Sequence, residues 1–494
     1  MTEREEQILR ERLMPQPVKA VFKDGADYRL TPGCAVKLNL PAKIAEEGIA
    51  LAKSICINQW KITPEITVGT CRKKIHPEGC EISIRTKDLT ISASTPDGLR
   101  NALKTLRQLA EPERGVEHFE HYILPRCEIA DEPAFSFRGI HICWFPETPL
   151  WEIEKQIRLA AYFKYNYVVL EPWGIFPYKC HPEFYFSSMK IKRKDVRRLV
   201  ALGRELGVTL IPQINIFGHA SWARSGSGKH ATLGSHFELA SLFEPDGWSW
   251  CLSNPHTRQY IEDLITEIME VFGNPPYFHA GCDEADNMLS CSLCRKAEPR
   301  KLVRDHLLHF YGFLRERGAK MLMWHDMLLN REDERWKGYI VCGSKENGIS
   351  DLYKDLPDDI LICDWQYGQP KEGADPEWPT SIFFKEAGFN VLVCPWYDRI
   401  GAGKIIRFAA QNKLGGVLQT TWHRNRGFQM PYAFIMSACC AWNPGQPASN
   451  RAVSCGESTF NGYLRQVDQD MNIAGDYKKS GRSIWQIVPE SYPD

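Results

Sequence analysis

The chain has 494 residues, of which 43% are hydrophobic and 25% charged, so it is long enough for more than one domain and has an ordinary globular composition. Its 61 Lys and Arg residues balance 61 Asp and Glu residues, which removes the net charge that draws proteins to nucleic acid or acidic membranes. No apolar run approaches the roughly 20 residues of a membrane helix. We therefore expect neither a nucleic-acid nor a membrane partner.

The expected location is the cytoplasm. The charged start, MTEREEQILRERLM, lacks the apolar centre of a secretory signal. The 17 cysteines are an odd number and are mostly scattered singly, which favours reduced thiols over a disulfide framework.

The first elements along the chain predict a short polar helix over residues 1–16 and an α/β domain over residues 17–130. The stretch CEISIRTKDLTISAST alternates as a strand does, and DGLRNALKTLRQLA predicts an amphipathic helix. The apolar residues at near-helical spacing in it are Leu99, Leu103, Leu106 and Leu109. Pro133 in the stretch ADEPAF then indicates a linker.

Residues 131–445 repeat a strand, loop and helix eight times, which predicts a (β/α)8 TIM barrel. The candidate strands are RGIHIC, YNYVVL, VTLIPQI, YFHAG, KMLMW, ILICDW, VLVCPW and GGVLQT. The candidate helices begin near Trp151, Lys194, Pro255, Leu302, Lys345, Ser381, Ala402 and Pro431. A doubly wound open sheet is the rival fold, but no Gly-rich phosphate loop follows the first strand. Residues 446–494 are expected to form a C-terminal extension that packs on the barrel.

Nearly every predicted barrel strand ends in aromatic side chains beside polar ones, where the active site of such a barrel lies. These residues are Trp144; Glu171 and Trp173; Gln213, Asn215 and His219; Asp283 and Glu284; Trp324, His325 and Asp326; Asp364, Trp365 and Tyr367; Trp396, Tyr397 and Asp398; and Trp422, His423 and Arg424. One such tryptophan or acid is ordinarily packing or a solvated loop residue, and His279 reads equally well as a core histidine. The convergence of all the strands instead favours a sugar site, because aromatic walls stack on sugar rings while polar groups bind the hydroxyls.

Several motifs carry a resemblance to a known family. FHAGCDEA resembles the fourth-strand signature of glycoside hydrolase family 20, the β-N-acetylhexosaminidases, and LIPQINIFGHA resembles its third-strand motif. FRGIH is similar to the Arg-Gly of its first strand, and TPDGLRNALKTLRQLA to the end of the α/β domain that precedes its barrel. The resemblance covers about residues 18–445.

The resemblance implies unlike duties for two adjacent acids. In this family the substrate's own acetamide attacks the anomeric carbon. Asp283 would orient and polarise the acetamide, and Glu284 would act as general acid and then as general base. His219 would pair with a carboxylate of the second strand, for which Glu171 is the candidate. Tyr397 would hydrogen-bond the acetamide carbonyl.

The strand ends and the resemblance together predict the residues that bind the sugar. They are Arg138, Glu171, Trp324, Asp326, Trp365, Tyr367, Trp396, Asp398 and Trp422. Two departures from the family affect this set: HICWFPETP has no Arg after the first strand, and Trp422-His423-Arg424 stands where Trp-x-Glu is common. Both departures predict an altered rim around the sugar and leave the acid pair intact.

Other interpretations stay open at this point. A barrel that binds sugar without turnover is one alternative, and a retaining glycosidase that uses Glu171 with Glu284 is another. The expected partner is an oligosaccharide or glycoconjugate containing N-acetylhexosamine, no cofactor is expected, and a homodimer is one of the open oligomeric states. Cys282, Cys291 and Cys294, with Cys251 nearby, are candidate zinc ligands, although buried reduced cysteines are the preferred interpretation.

Overall fold

The computed structural model describes residues 2, 5–6, 8–60, 62–113, 121–220, 232–367, 377–396, 399–422 and 431–446. Contacts divide the chain into two compact units. Of the described residues, the first unit comprises those up to Ser136, Tyr162–Lys164 and residues 438–446, and the second comprises Phe137–Ala161 and Tyr165–Ser437. Apart from Gln446, the predicted C-terminal extension lies outside the described residues. Within those residues, no helix combines the length and the apolar character needed to cross a lipid bilayer.

The first unit is built on a six-stranded mixed sheet and a smaller three-stranded sheet. Its strands are β1 (Lys19–Phe22), β2 (Tyr28–Leu30), β3 (Ala35–Leu40), β4 (Glu65–Thr70), β5 (Cys80–Ile84), β6 (Leu89–Ala93), β7 (Glu111–Pro112), β8 (Tyr122–Leu124) and β9 (Cys127–Asp131). The larger sheet has the order β1-β9-β5-β6-β3-β4 and the smaller one β2-β8-β7. Two α-helices lie wholly within the described part of this unit, α1 (Ala45–Trp60) and α2 (Pro96–Leu109).

Helix α2 forms where the leucine spacing predicts it. Thr95 caps it by accepting a hydrogen bond from the Gly98 N–H, and Pro96 occupies the first helical position, where its missing donor costs nothing. All four leucines at helical spacing are buried against the sheet, with Leu99 and Leu109 fully enclosed. The amphipathic pattern is thus explained by burial of one helix face.

The second unit contains eight parallel strands with helices between them. The strands are β10 (Phe137–Trp144), β11 (Tyr167–Pro172), β12 (Thr209–Pro212), β13 (Tyr277–His279), β14 (Lys320–Trp324), β15 (Leu361–Asp364), β16 (Asn390–Val393) and β17 (Gly416–Thr420). The helices that lie wholly or mostly in this unit are α3 (Leu150–Tyr162), α4 (Arg193–Leu206), α5 (Pro255–Phe272), α6 (Pro299–Glu316), α7 (Pro379–Glu386), α8 (Arg399–Gln411) and α9 (Pro431–Trp442).

The eight strands close into a barrel. Their order is β12-β11-β10-β17-β16-β15-β14-β13, and every neighbouring pair in it is parallel. A parallel bridge between Gln213 and His279 joins the two outer strands of this order. The predicted fold, a (β/α)8 barrel preceded by an α/β domain, is therefore confirmed. Because side chains such as Val169, Ile211 and Leu322 fill the barrel interior, a substrate must bind at a strand end.

Helix α5 begins and ends as its sequence predicts. The Asn254 side chain caps the first turn by accepting from the His256 N–H at 2.9 Å, and Pro255 follows as the first helical residue. Gly273 ends the helix in the left-handed conformation, with φ 76°, which glycine adopts without strain.

Two predicted helices differ in the structure. The helix expected near Lys345 is only the 3-10 segment Ile349–Lys354, because left-handed Gly348 precedes it and Pro357 follows closely. At the N-terminus, the described residues contain the five-residue π-helical segment Ile8–Arg12.

Candidate active site

The chain leaves strand β13 through a run of left-handed backbone. Gly281, Cys282 and Glu284 have φ values of 66°, 78° and 48°. A Cβ at Gly281 would lie 2.0 Å from the Asn215 side-chain oxygen, so only glycine fits this close approach. The bend leaves Asp283 and Glu284 in unlike surroundings, since the side chain of Asp283 is 5% exposed and that of Glu284 is 40% exposed.

His219 joins the two acids. Its Nε2 atom lies 3.0 Å from Glu284 Oε2 and 3.3 Å from Asp283 Oδ2, so one ring nitrogen contacts both carboxylates. The loop after β12 approaches closely here, because a Cβ at Gly218 would lie 2.0 Å from the Asp283 carbonyl oxygen. The structure therefore brings together three of the four predicted catalytic residues, and the fourth, Tyr397, lies outside the described residues.

Trp248 contacts both Glu284 and His219, and the sequence analysis did not predict it as a site residue. It lies in the loop after β12, and its indole N–H donates to the Glu284 carbonyl oxygen at 2.6 Å. Its ring centroid is 4.2 Å from that of His219. The only local signal for this role is its place in the turn-rich stretch PDGWSW, which by itself predicts a loop and not a partner.

Asp326 is a buried carboxylate that hydrogen-bonds to the backbone of Glu284. It is fully buried, and its two oxygens accept from the Glu284 N–H and the Trp365 indole N–H, both at 2.9 Å. Burial, followed by the charge of Asp283, raises the pKa of Asp326 to about 6. An enclosed carboxylate with both oxygens engaged positions Glu284 and Trp365, and the assignment of Asp326 to sugar binding stays a prediction.

An aromatic wall stands beside the acids at the ends of the next strands. Trp365 and Trp396 flank Tyr367, with ring centroids 5.3 Å and 5.0 Å from the tyrosine ring. The Trp422 indole N–H donates to the Tyr367 hydroxyl, and burial raises the pKa of Tyr367 well above its usual value, which keeps this hydroxyl neutral. Trp324 lies behind them, fully buried, with its ring 5.4 Å from Trp422.

Glu171 has a different partner from the predicted one. Its Oε2 atom lies 3.1 Å from His141 Nε2, and its Oε1 atom accepts from the Gln213 amide at 2.8 Å. Glu171 and His141 are both buried. The structure thus places His141 beside Glu171, whereas His219 lies beside Asp283 and Glu284, and the expected pairing of Glu171 with His219 is corrected. The partner of Glu171 is His141 and not His219 because His141 and Glu171 lie on the neighbouring, hydrogen-bonded strands β10 and β11.

Arg138 lies at the wrong end of the barrel for its predicted role. It is buried near the start of β10, six residues before Trp144, which corresponds to about 20 Å along a strand. Its backbone pairs with Val417 and its N–H donates to the Asn166 side chain at 2.9 Å. Its assignment to sugar binding is therefore wrong, because substrates bind at the carboxyl ends of barrel strands. Asp398, His423 and Arg424 lie outside the described residues.

Two neighbouring acids of unlike exposure, held by a histidine and faced by an aromatic wall at the carboxyl end of a barrel, form the arrangement of a glycoside hydrolase. Comparison with known families agrees with this class. Residues 181–375 match the catalytic domain of glycosyl hydrolase family 20, and residues 11–132 match domain 2 of the same family. The chain belongs to glycosyl hydrolase family 20.

Individual relatives are distant. A β-hexosaminidase of Porphyromonas gingivalis is 26% identical over 281 residues, which cover 51% of this chain and 36% of that protein. A β-hexosaminidase of Vibrio furnissii is 23% identical over 364 residues, which cover 64% of this chain and 57% of that protein. The matched regions therefore span less than two thirds of these relatives.

Among solved structures, a family 20 exo-β-N-acetylglucosaminidase from Vibrio harveyi in complex with N-acetylglucosamine is similar to this chain. The TM-score is 0.70 at 15% sequence identity, over 93% of this chain and 78% of that chain. At this identity the similarity shows the shared fold.

Proposed function

We propose that this protein is an exo-acting β-N-acetylhexosaminidase that releases terminal N-acetylhexosamine with retention, through an oxazolinium ion formed by the substrate's own acetamide. The observation that carries the proposal is the unlike environment of two adjacent acids, the enclosed Asp283 and the half-open Glu284, joined through His219. The curated relatives named above are β-hexosaminidases, which supports the substrate class.

In the first step, the acetamide carbonyl oxygen forms a bond to the anomeric carbon while the bond from that carbon to the leaving oxygen breaks. Glu284 gives its proton to the leaving oxygen, and its exposure suits it to this contact with the aglycone side. Asp283 accepts a hydrogen bond from the acetamide N–H and stabilises the positive charge that develops on the oxazolinium ring. His219 holds the two carboxylates at a fixed separation throughout.

In the second step, a water molecule attacks the anomeric carbon and the oxazolinium ring opens to the acetamide. Glu284, now ionised, accepts the proton of this water, which restores the acid for the next cycle. Two displacements at the same carbon return the original anomeric configuration. Asp326 accepts a hydrogen bond from the Glu284 N–H and Trp248 donates one to the Glu284 carbonyl oxygen, and these two bonds keep the acid in place for both steps.

A retaining mechanism with a protein nucleophile is the main chemical alternative. It requires a second carboxylate that faces the anomeric carbon at about 5 Å from the acid. Glu171 was the candidate, but it is 1% exposed and its oxygens already contact His141 and Gln213. This enclosure favours the acetamide as nucleophile.

The test is a comparison of nitrophenyl β-glycosides of N-acetylglucosamine, N-acetylgalactosamine and glucose. We expect cleavage of the N-acetylated sugars and not of the glucoside, and the ratio between the two N-acetylated sugars measures the preference of the altered rim. A trifluoroacetamide in place of the acetamide should lower kcat/KM strongly, because fluorine weakens the attacking oxygen. Cleavage of the glucoside alone would refute the acetamide mechanism, and binding of sugar without turnover would favour the sugar-binding alternative.

A further inference from the structure

Four side chains with metal-binding atoms converge next to the active-site loops. Glu244 and Cys251 lie in the loop after β12, and Cys291 and Cys294 lie in the loop after β13. Their ligand atoms all lie within 4.8 Å of one another. Glu244 therefore takes the place that the sequence analysis gave to Cys282, whose thiol instead contacts the Ala280 carbonyl oxygen at 3.5 Å.

The sulfur separations match those of thiolates around a single metal ion. Cys251 Sγ lies 3.4 Å from Cys291 Sγ and 3.7 Å from Cys294 Sγ. Two sulfurs bound tetrahedrally to zinc at about 2.3 Å are about 3.8 Å apart, whereas a disulfide brings them to about 2.05 Å. The cluster geometry thus fits a shared ion better than a bond between two of the cysteines.

Local hydrogen bonds prepare the ligands for this arrangement. The Cys294 N–H donates to Cys291 Sγ at 3.2 Å, which fixes the position of this sulfur within the Cys-x-x-Cys. The Cys291 N–H donates to Glu244 Oε2 at 2.6 Å, and this orients the carboxylate toward the sulfurs.

Glu244 supplies an independent reason for a cation. Its side chain is 1% exposed, and its second oxygen, Oε1, is buried without a hydrogen-bond partner among the described residues. A buried carboxylate oxygen without compensation is costly, and a bound cation removes that cost.

We propose that Glu244, Cys251, Cys291 and Cys294 bind one zinc ion that fastens the loop after β12 to the loop after β13. Three thiolates with one carboxylate are a tetrahedral set suited to zinc, and the filled coordination sphere makes the site structural. Binding releases the three thiol protons to solvent while the four metal–ligand bonds form.

The position of the ion gives it a role in arranging the active site. Trp248 lies between Glu244 and Cys251 in one loop, and Glu284 lies seven residues before Cys291 in the other. The hydrogen bond from the Trp248 indole to the Glu284 carbonyl thus spans the same two loops that the ion joins. Zinc would therefore act on the general acid through the loops, without contact with the sugar.

Metal content of the full chain tests the proposal directly. After expression in medium supplemented with zinc and purification under reducing conditions, we expect about one zinc per chain. X-ray absorption at the zinc edge should show three sulfurs at about 2.3 Å and one oxygen, and cobalt substituted for zinc should give intense thiolate-to-cobalt absorption. Less than a tenth of a zinc per chain, iron in its place, or a shell of nitrogen and oxygen only would overturn the assignment.

Cysteine variants localise the ion. The double change Cys291→Ser, Cys294→Ser should lower the zinc content at least tenfold, whereas Cys180→Ser, at an exposed cysteine outside the cluster, should leave it unchanged. A double variant that keeps its zinc would place the ion elsewhere and refute the site. If the double variant does not fold, the absorption measurement on the unaltered chain still decides the question.

The oxidation state of Cys251, Cys291 and Cys294 distinguishes a zinc site from a disulfide. A metal-free chain with a mass two units lower, from a disulfide among Cys251, Cys291 and Cys294, would overturn the zinc site in favour of a redox pair. Metal content is measured without reference to catalysis, so its outcome is distinct from that of the glycoside assays. An inactive protein that holds zinc would refute the proposed function alone.

Discussion

Two of the carboxylate–histidine pairs near the carboxyl ends of barrel strands, Glu171–His141 and Glu284–His219, differ in how far they are open to solvent, while a third pair, Asp364–His325, is fully buried like the first. Glu171 and His141 form a closed pair, with side chains 2% and 0% exposed. Glu284 and His219 form an open pair, with side chains 40% and 12% exposed. The strand β10 and its neighbour β11 hold the closed pair in regular backbone, whereas the open pair sits on left-handed residues, His219 with φ 53° and Glu284 with φ 48°.

Residue type alone does not identify the reacting acid. Strained backbone turns Glu284 out of the strand direction and toward the barrel mouth, and such strain is concentrated where function requires it. Regular strands instead direct Glu171 into a buried network with Gln213. A carboxylate that must exchange a proton with a sugar requires the first environment, and a carboxylate that orients its neighbours can occupy the second.

The largest expected effect is a difference in catalytic activity between variants of Glu284 and of Glu171. Glu284→Gln should lower kcat/KM on a poor leaving group by about 10²–10⁴-fold, because general acid catalysis is lost, and less on an activated nitrophenyl glycoside. Glu171→Gln is the matched control and should mainly lower the free energy of unfolding, by about 1–3 kcal/mol. Steady-state kinetics and chemical denaturation measure both. Equal losses of activity in the two variants would break the comparison.

Asp283 should show the next largest effect. Asp283→Asn is expected to lower kcat by about 10²–10³-fold on good and poor leaving groups alike, because charge stabilisation of the oxazolinium is lost in either case. The ratio of rates for two nitrophenyl leaving groups of different pKa checks this. A leaving-group dependence equal to that of Glu284→Gln would mean that the two acids share one role.

The pH dependence of kcat/KM tests the role of Asp326, the buried carboxylate that accepts a hydrogen bond from the Glu284 N–H. Ionised Asp326 accepts from both Glu284 and Trp365, and protonation removes an acceptor, so kcat/KM should fall as the pH falls through about 6. Asp326→Asn should be about tenfold less active and should lack this acidic limb. Asp364→Asn, at another buried strand-end acid, should keep it.

The raised pKa of Asp326 also predicts how the free energy of unfolding changes with pH. Because its pKa is raised on folding, the folded chain binds the Asp326 proton more tightly than the unfolded chain does. Its contribution to the free energy of unfolding is therefore present at low pH and is lost as the pH rises from about 4 to about 6. Denaturation at several pH values should show a flatter profile over that window for Asp326→Asn. An unchanged slope would contradict the raised pKa.

The smallest expected effect concerns two tryptophans of one loop. Trp248→Phe removes the hydrogen bond to the Glu284 carbonyl and should lower kcat by about two- to tenfold, corresponding to about 0.5–1.5 kcal/mol. Trp250→Phe removes a bond to the Asn215 carbonyl and should lower stability with little change in kcat. Kinetics and thermal unfolding distinguish them. A larger loss of kcat at Trp250 than at Trp248 would refute the supporting role of Trp248.

Local patterns predicted much of the fold. The cap Asn254, the initial Pro255 and the terminal Gly273 determine helix α5 through bonds within a few residues of each other. The spacing near Lys345 predicted a helix in the same way, but Gly348 and Pro357 restrict that segment to a 3-10 turn. Local signals are reliable where caps and periodicity agree, and they mislead where breakers lie inside the predicted element.

The site was predictable only in part, for a related reason. The adjacent acids after an apolar strand made Asp283 and Glu284 catalytic candidates, because the two residues are consecutive in the sequence. Trp248 and Glu244 were missed, and Arg138 was misplaced, because their surroundings depend on which loops and strand ends meet. Such contacts join residues that are far apart in the chain, as Trp248 and Glu284, 36 positions apart, show.

Periodicity in the sequence predicts the barrel and the preceding α/β domain, and consecutive residues predict the acid pair, because these features depend on neighbours along the chain. The tertiary structure was needed to show that His219 hydrogen-bonds to Glu284 and His141 to Glu171. It was also needed to show that Glu244 lies beside Cys251, Cys291 and Cys294. The physical reason is closure of the barrel, which brings the carboxyl ends of eight strands together and sets side-chain partners by register and burial rather than by sequence separation.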